Sequence, residues 1–216
     1  MSSKIYLVAA LALAAAPCFA SPIFVSNFSF ETLPSGGLTF AGCGSGCSYS
    51  EASGIPGWSV SSGAEIGQFQ PGNPANTIYF STLSDGPTNA YSNIDGSVIG
   101  QTVGATVVLG EVYTLMVDIG SRKDAGFTGT ADLMINGISY TATGTPIPGA
   151  FGLFTVAYTG LLADVGKSIT IELRSSGPQA NFDNVRLDAV PEPASLLLIG
   201  SGLLALGLRI KRTARR

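Results

Sequence analysis

The sequence predicts an all-β domain, a jelly-roll β-sandwich, flanked by an N-terminal signal peptide and a C-terminal transmembrane helix. Short runs of alternating apolar and polar residues recur along the middle of the chain, separated by Gly, Pro, Asn and Asp. The 28 Gly, 12 Pro and 12% charged residues of the 216-residue chain are the composition of turn-rich β structure. The continuous apolar runs lie at the two ends, and setting both aside leaves about 170 residues, a normal size for one domain with its own core.

Each element follows from its local pattern. In Val112 to Ile119 the residues Tyr113, Leu115, Val117 and Ile119 point one way while Thr114 and Asp118 point the other, so one face of the strand is core. Ser168 to Arg174 repeats this with Ile169, Ile171 and Leu173, and Leu153 to Thr159 with Phe154, Val156 and Tyr158. Thr130 to Asn136 and Ile138 to Thr143 flank Asn136-Gly137, a pair that tolerates the positive φ angles of a type I′ turn, and so predict a hairpin. Further strands are expected near Ile23 to Phe30, Gly57 to Val60, Ala64 to Phe69, Asn89 to Ile94, Val98 to Val103 and Asn181 to Leu187. Eight or more strands in one domain indicate a jelly roll.

The ends carry export signals. Lys4 opens a polar region, Ile5 to Ala16 are apolar, and Pro17-Cys18-Phe19-Ala20 ends on small residues at the positions a signal peptidase reads. Residues 1–20 therefore read as a signal peptide, and Pro17 sits where a lipoprotein signal wants Gly or Ala. At the other end, Ala194 to Leu208 form an apolar stretch short of the roughly 20 residues that span a bilayer comfortably. Extended through Ile210, with Arg209 and Lys211 snorkelling, it becomes a marginal span. The basic end, Arg209, Lys211, Arg212, Arg215 and Arg216, fixes its C-terminus in the cytoplasm and places residues 21–189 outside the inner membrane.

Val190-Pro191-Glu192-Pro193-Ala194-Ser195, followed by a Leu/Gly-rich run and then Arg/Lys, closely resembles the PEP-CTERM sorting signal of Gram-negative bacteria. The resemblance makes residues 190–216 a sorting tail with Pro191, Glu192 and Pro193 as its motif. It implies an exosortase as partner, besides signal peptidase and the export machinery, and an inner-membrane precursor whose mature form is at the cell surface or extracellular, in organisms that make extracellular polysaccharide. The domain also resembles the galactose-binding-like jelly rolls that often ride on such tails. That likeness rests on Asn27-Phe28-Ser29-Phe30-Glu31, Ile55-Pro56-Gly57-Trp58, Tyr91 to Val103 and Phe182-Asp183-Asn184-Val185. It implies that the first and last strands are neighbours, that Glu31 and Asp183 can hold a structural calcium ion with backbone carbonyls, and that carbohydrate is a ligand class to test.

Composition narrows the chemistry. Between Ser21 and Val190 the only basic residues are Arg122, Lys123, Lys167, Arg174 and Arg186, so the domain is acidic, lacks a phosphate-neutralising stripe and is not expected to bind nucleic acid. The absence of His removes Ser-His-Asp and Cys-His machinery and imidazole metal sites. Glu51, Glu65, Asp85, Asp95 and Glu111 are available for paired-carboxylate hydrolysis, but no spacing singles out a pair, and a non-enzyme is expected. Cys18 leaves with the signal peptide, so Cys43 and Cys47 are expected to form a disulfide in the oxidising exterior; two thiols are too few for a structural zinc site.

Candidate ligand contacts are the aromatics Phe69, Tyr79, Phe80 and Tyr91, as an exposed platform for sugar rings, and the amides of Asn76, Asn89 and Asn93. Trp58 fits core better than sugar stacking, and Arg122-Lys123-Asp124 fits a solvated loop better than an anionic-sugar contact. The leading expectation is an exported, exosortase-sorted cell-surface or extracellular-matrix protein whose sandwich is a non-catalytic carbohydrate-binding module for exopolysaccharide in a biofilm. A structural adhesion protein without a discrete pocket is the alternative, and a glycoside hydrolase the distant one.

Overall fold

The computed structural model describes residues 19–44, 46–51, 54–61, 65–72 and 78–191. Among them the chain forms β-strands and one 3-10 turn, Leu162–Asp164. The expected signal peptide up to residue 18, Asn76, Glu192, Pro193, the apolar tail and the basic end lie outside the described residues, and so does the expected transmembrane helix. No helix among the described residues is long and apolar enough to cross a membrane.

Two antiparallel sheets make up the structure. The larger runs in the order β10 (Thr143–Gly144), β11 (Ala150–Thr159), β7 (Val112–Ser121), β13 (Ala180–Val190), β5 (Asn89–Ser92), β4 (Ile66–Gln70) and β2 (Ser48–Tyr49). β1 (Ser21–Ile23) pairs with the second half of β13, in the register Ser21 to Ala189 and Ile23 to Leu187. First and last strands are therefore neighbours, as expected. The smaller sheet runs β3 (Ser59–Val60), β6 (Val98–Thr106), β12 (Ser168–Ser175), β8 (Gly129–Ile135) and β9 (Ile138–Thr141). Their inner faces meet in a shared core in which Leu115, Val117, Ile119, Phe182 and Leu187 pack with Ile99, Leu133, Ile169, Ile171 and Leu173.

The alternating patterns hold where they were cleanest. Tyr113, Leu115, Val117 and Ile119 are all buried, and so are Ile169, Ile171 and Leu173. Asn136 and Gly137, at φ 51° and 79°, make the expected turn between β8 and β9. The second arm ends earlier than expected, at Thr141, because Ala142 turns into the core and Thr143–Gly144 pairs with β11 in the other sheet. The strand expected over Ile23 to Phe30 is cut to Ser21–Ile23. Asn27 and Phe30 adopt positive φ (48° and 57°), and the Asn27 side chain clasps the loop, accepting from Thr32 N at 2.9 Å and donating to Pro56 O at 3.0 Å. Trp58 is core: it packs on Phe30 with ring centroids 5.4 Å apart and donates to Asn27 O at 3.3 Å.

β13 carries a one-residue bulge between Asp183 and Arg186, with Asn184 at φ 48°. The bulge lets Phe182 and Val185 both enter the core, while Asp183 stays on the outer face opposite Asp118 of β7.

Candidate ligand-binding site

The outer face of the larger sheet is the polar and aromatic side of the molecule. Register places Tyr49 beside Phe69, Phe69 beside Asn89, and Tyr91 beside Asn181, so these side chains share that face. Tyr91 lies opposite Gly67, where a Cβ would sit 2.1 Å from Ser50 O; the missing side chain lets residue 50 approach and accept from the Tyr91 hydroxyl at 2.9 Å.

Two loops close over this face. In the first, Cys43 and Cys47 are disulfide-bonded, and Cys43 O accepts from the Tyr79 hydroxyl. The second runs from residue 78 to 88 and is pinned along its length. Lys123 N donates to Tyr79 O at 2.9 Å, Ser84 Oγ to Asp118 at 2.6 Å, Asp85 N to Asp183 at 2.9 Å, and Thr88 N to Glu31 at 2.8 Å.

Between the loops and the sheet edge opens a cavity of about 300 Å³. Tyr49, Phe69, Tyr79 and Tyr91 form its apolar walls, and Glu51, Glu65, Asn93, Arg122 and Gln179 supply polar groups. The aromatics brace each other edge to face, with Phe69 5.5 Å from Tyr79 and 6.1 Å from Tyr91. The Arg122 guanidinium lies 4.2 Å from the Tyr79 ring centroid, is held by Asp124 at 2.6 Å and donates to Gln179 Oε1. Asn93 Oδ1 accepts from Gln179 N at 3.0 Å, which fixes the amide at the cavity wall. Burial pushes the Tyr91 phenol pKa up, and the charges of Glu51 and Glu65 push it further, so the hydroxyl stays a neutral donor.

Four of the residues proposed from sequence, Phe69, Tyr79, Tyr91 and Asn93, line this cavity. Their setting differs from the exposed platform expected, because the two loops bury the three rings to 5–7% exposure. The exposed aromatic beside them is Phe40, stacked on Tyr49 at 5.3 Å and 40% exposed. Phe80 does not line the cavity; it is fully buried against Phe151, with centroids 4.8 Å apart. Asn89 is buried outside the cavity lining, and its amide has no hydrogen-bond partner among the described residues. Arg122 was read as part of a solvated loop; it instead lies against two rings of the site, a contact its local sequence does not signal.

Glu31 and Asp183 both accept hydrogen bonds from the 85–88 segment. Thr88 N and Oγ1 donate to Glu31 at 2.8 and 3.1 Å, while Asp85 N and Asn184 N donate to Asp183 at 2.9 and 2.7 Å. Burial raises the Asp183 pKa to about 8, and the charges of Asp85 and Glu31 add to the rise against the two amide bonds. When both are ionised, Glu31 and Asp183 would offer calcium hard oxygen donors. Among the described residues no three acidic or Cys side chains converge as a metal cluster.

Solved structures similar to this chain at low identity include the following three. The CBM22-1 xylan-binding domain of Paenibacillus barcinonensis Xyn10C is 12% identical, with 83% of this chain and 99% of that one covered at a TM-score of 0.40. The CBM22-1–GH10 modules of Clostridium thermocellum xylanase 10B, complexed with xylohexaose, are 13% identical (65% and 27% covered, TM-score 0.42). The enzymatically active domain of bacteriophage CBA120 tailspike protein 4 is 14% identical (62% and 19% covered, TM-score 0.41). This chain thus spans about a fifth of the tailspike chain and about a quarter of the xylanase chain. No curated protein matches the sequence. The PEP-CTERM protein-sorting motif is found at residues 189–212, as the sequence indicated. The HpiC1 cyclase model matches residues 21–188, essentially the whole sandwich, and the chain therefore belongs to the HpiC1-like family.

Proposed function

We propose that the sandwich is a non-catalytic carbohydrate-binding module, carried to the cell surface by its sorting motif. The observation that carries this reading is the cavity between the two loops, where four aromatic rings stand beside the amides of Asn93 and Gln179 and the carboxylates of Glu51 and Glu65. Rings supply the apolar contact that sugar C–H faces seek, and the amides and carboxylates supply fixed acceptors and donors for hydroxyls. A discrete cavity of this kind counts against the adhesion protein without a pocket. The test is a glycan array, including polysaccharide of the producing organism, probed with the wild-type domain and with Tyr49→Ala and Glu51→Gln. Saturable binding weakened at least tenfold by both changes supports the reading, and flat profiles refute it.

A catalytic reading draws on one specific observation, that Glu51 and Glu65 line the same cavity, together with the cyclase description of the family. Product analysis of the array-selected glycan separates the two: turnover abolished by Glu51→Gln or Glu65→Gln would make the site an active site. Calcium held by Glu31 and Asp183 is a further proposal, supported by their common attachment to the 85–88 segment.

The PEP-CTERM motif makes the chain an exported, membrane-associated precursor of a Gram-negative bacterium. Its processing is proposed as follows. Pro191 and Pro193 restrict themselves and their predecessors to extended conformations, which suits protease recognition at a membrane surface. An exosortase then removes the segment from near Pro193 onward. Mass spectrometry of the mature protein should find a C-terminus close to Pro193; peptides from Leu196 to Leu208 in the surface fraction would establish a permanent anchor instead.

A further inference from the structure

Two loops at one end of the sandwich expose an unusual amount of aliphatic surface. The turn between β6 and β7 presents Val108 and Leu109, and the segment after β11 presents Leu161, Leu162 and Val165, each between 48% and 77% exposed. The loops form one patch, because Gly110 N donates to Gly160 O and Gly166 N to Val107 O, both at 2.8 Å. Scattered exposed leucines are ordinary; five aliphatics joined in this way are not. The carboxylates within the two loops are engaged: Glu111 accepts from the Tyr113 hydroxyl at 2.7 Å, and the buried Asp164 from Tyr158 at 2.6 Å and Asn136 at 3.2 Å. Lys167 is exposed at the edge of the same loop.

The register of the larger sheet places this patch where the chain leaves the domain. Val112, the first residue of β7, pairs with both Thr159 at the end of β11 and Val190 at the end of β13. Ser21, the first residue after the signal peptide, pairs with Ala189 at the same end. Beyond Val190 the apolar run begins at Ala194, four residues on. Four extended residues reach about 14 Å, less than the diameter of a small domain.

We propose that this end of the sandwich rests on the lipid bilayer in the precursor, with Leu109, Leu161 and Leu162 in the interfacial region and Lys167 at the headgroups. The inference rests on the reading of the tail as membrane-held. A tail in the bilayer keeps Val190 within that reach of the surface, so the loops beside Val190 are the part of the domain nearest the lipid. Aliphatic side chains with a basic residue at their margin match the chemistry of an interface, where apolar groups bury and cations meet lipid phosphate. Docking in this way would also hold the chain after Val190 close to the membrane for cleavage.

The test uses residues 21–216, with the signal peptide removed and the tail intact, reconstituted in vesicles of phosphatidylethanolamine and phosphatidylglycerol. Cys18 is absent from this chain and Cys43 and Cys47 are bonded to each other, so a single Leu162→Cys or Leu109→Cys change provides one thiol for an environment-sensitive dye. Ile147→Cys is the control, because Ile147 is also exposed (49%) but lies next to Pro148, which bridges to Ser121 at the opposite end of β7. The expected result is at least threefold stronger quenching by lipid-borne quenchers at positions 109 and 162 than at 147. Equal, weak quenching at all three positions, with the chain in the vesicles, overturns the inference and leaves the tail reading intact. A blue-shifted dye at 162 that lipid quenchers do not reach means that protein covers the patch, and it also overturns the lipid assignment. Failure of the chain to enter vesicles at all overturns both.

Discussion

Asp183 makes the stability of the domain depend on pH in a direction opposite to that of ordinary paired carboxylates. Its side chain is 1% exposed, and burial, with the charges of Asp85 and Glu31, raises its pKa from 3.8 to about 8. An unfolded chain ionises this group near 3.8, so folding takes up a proton throughout the interval between the two values. The contribution is fully present below the unfolded value, declines as pH rises and is lost above about 8. Within the interval the slope approaches about 1.4 kcal/mol per pH unit, a loss of about 3 kcal/mol between pH 5 and pH 7 if the environment does not relax. Asp183→Asn removes the titration and keeps the shape. It forfeits one of the two amide hydrogen bonds, a cost of about 1 kcal/mol that does not vary with pH. Urea unfolding of both proteins in chelator, from pH 5 to pH 8, should therefore give wild-type stability that falls toward the variant's as pH rises. The remaining ionisable groups are common to both proteins and largely cancel in the difference. Parallel pH profiles would refute the assignment. Calcium supplies a second arm: bound at Glu31 and Asp183 it favours the ionised carboxyl, so it should flatten the wild-type slope and leave the variant alone. Melting temperatures unmoved by calcium at every pH would dismiss that site.

Gly67→Ala should destabilise the domain by roughly 2–3 kcal/mol in thermal melts, because the new Cβ meets Ser50 O at 2.1 Å and displaces a backbone segment that also holds Tyr91. Replacing both Cys43 and Cys47 by Ser should cost about 2 kcal/mol from loop entropy and, by loosening the loop whose Cys43 carbonyl holds Tyr79, weaken ligand binding further. Arg122→Met should cost about 1 kcal/mol, since it keeps the apolar stem against Phe69 and Tyr79 but removes the cation over the Tyr79 ring; unchanged stability would show the ring contact to be inert.

The strands with one buried face were legible because alternation is a local signal, as in Val112–Ser121 and Ser168–Ser175. The sorting tail was legible for the same reason: its three ordered features lie within a short segment. Strand ends were less so. The loss of pairing after Ile23 depends on the Asn27 side chain reaching Thr32 and Pro56, and the departure of Thr143–Gly144 depends on a partner in the other sheet. The site was half legible. Aromatics and amides in turn-rich sequence pointed to Phe69, Tyr79, Tyr91 and Asn93, but their burial depends on two loops folding over the sheet, and sequence offers no period for that. Arg122 and Gln179 lie far apart in the chain and meet only because β7 and β13 are neighbours.

The central claim, that the cavity walled by Tyr49, Phe69, Tyr79 and Tyr91 takes a carbohydrate, is tested most directly by an NMR titration of the isotopically labelled domain with the oligosaccharide selected on the array. Chemical-shift changes should concentrate on the side-chain amides of Asn93 and Gln179 and on the backbone of Glu51 and Glu65, with saturation transfer from the tyrosine rings to sugar protons. Shift changes confined to another face, such as the β8–β9 turn at Asn136 and Gly137, or a spectrum unmoved by a saturating ligand, would contradict it.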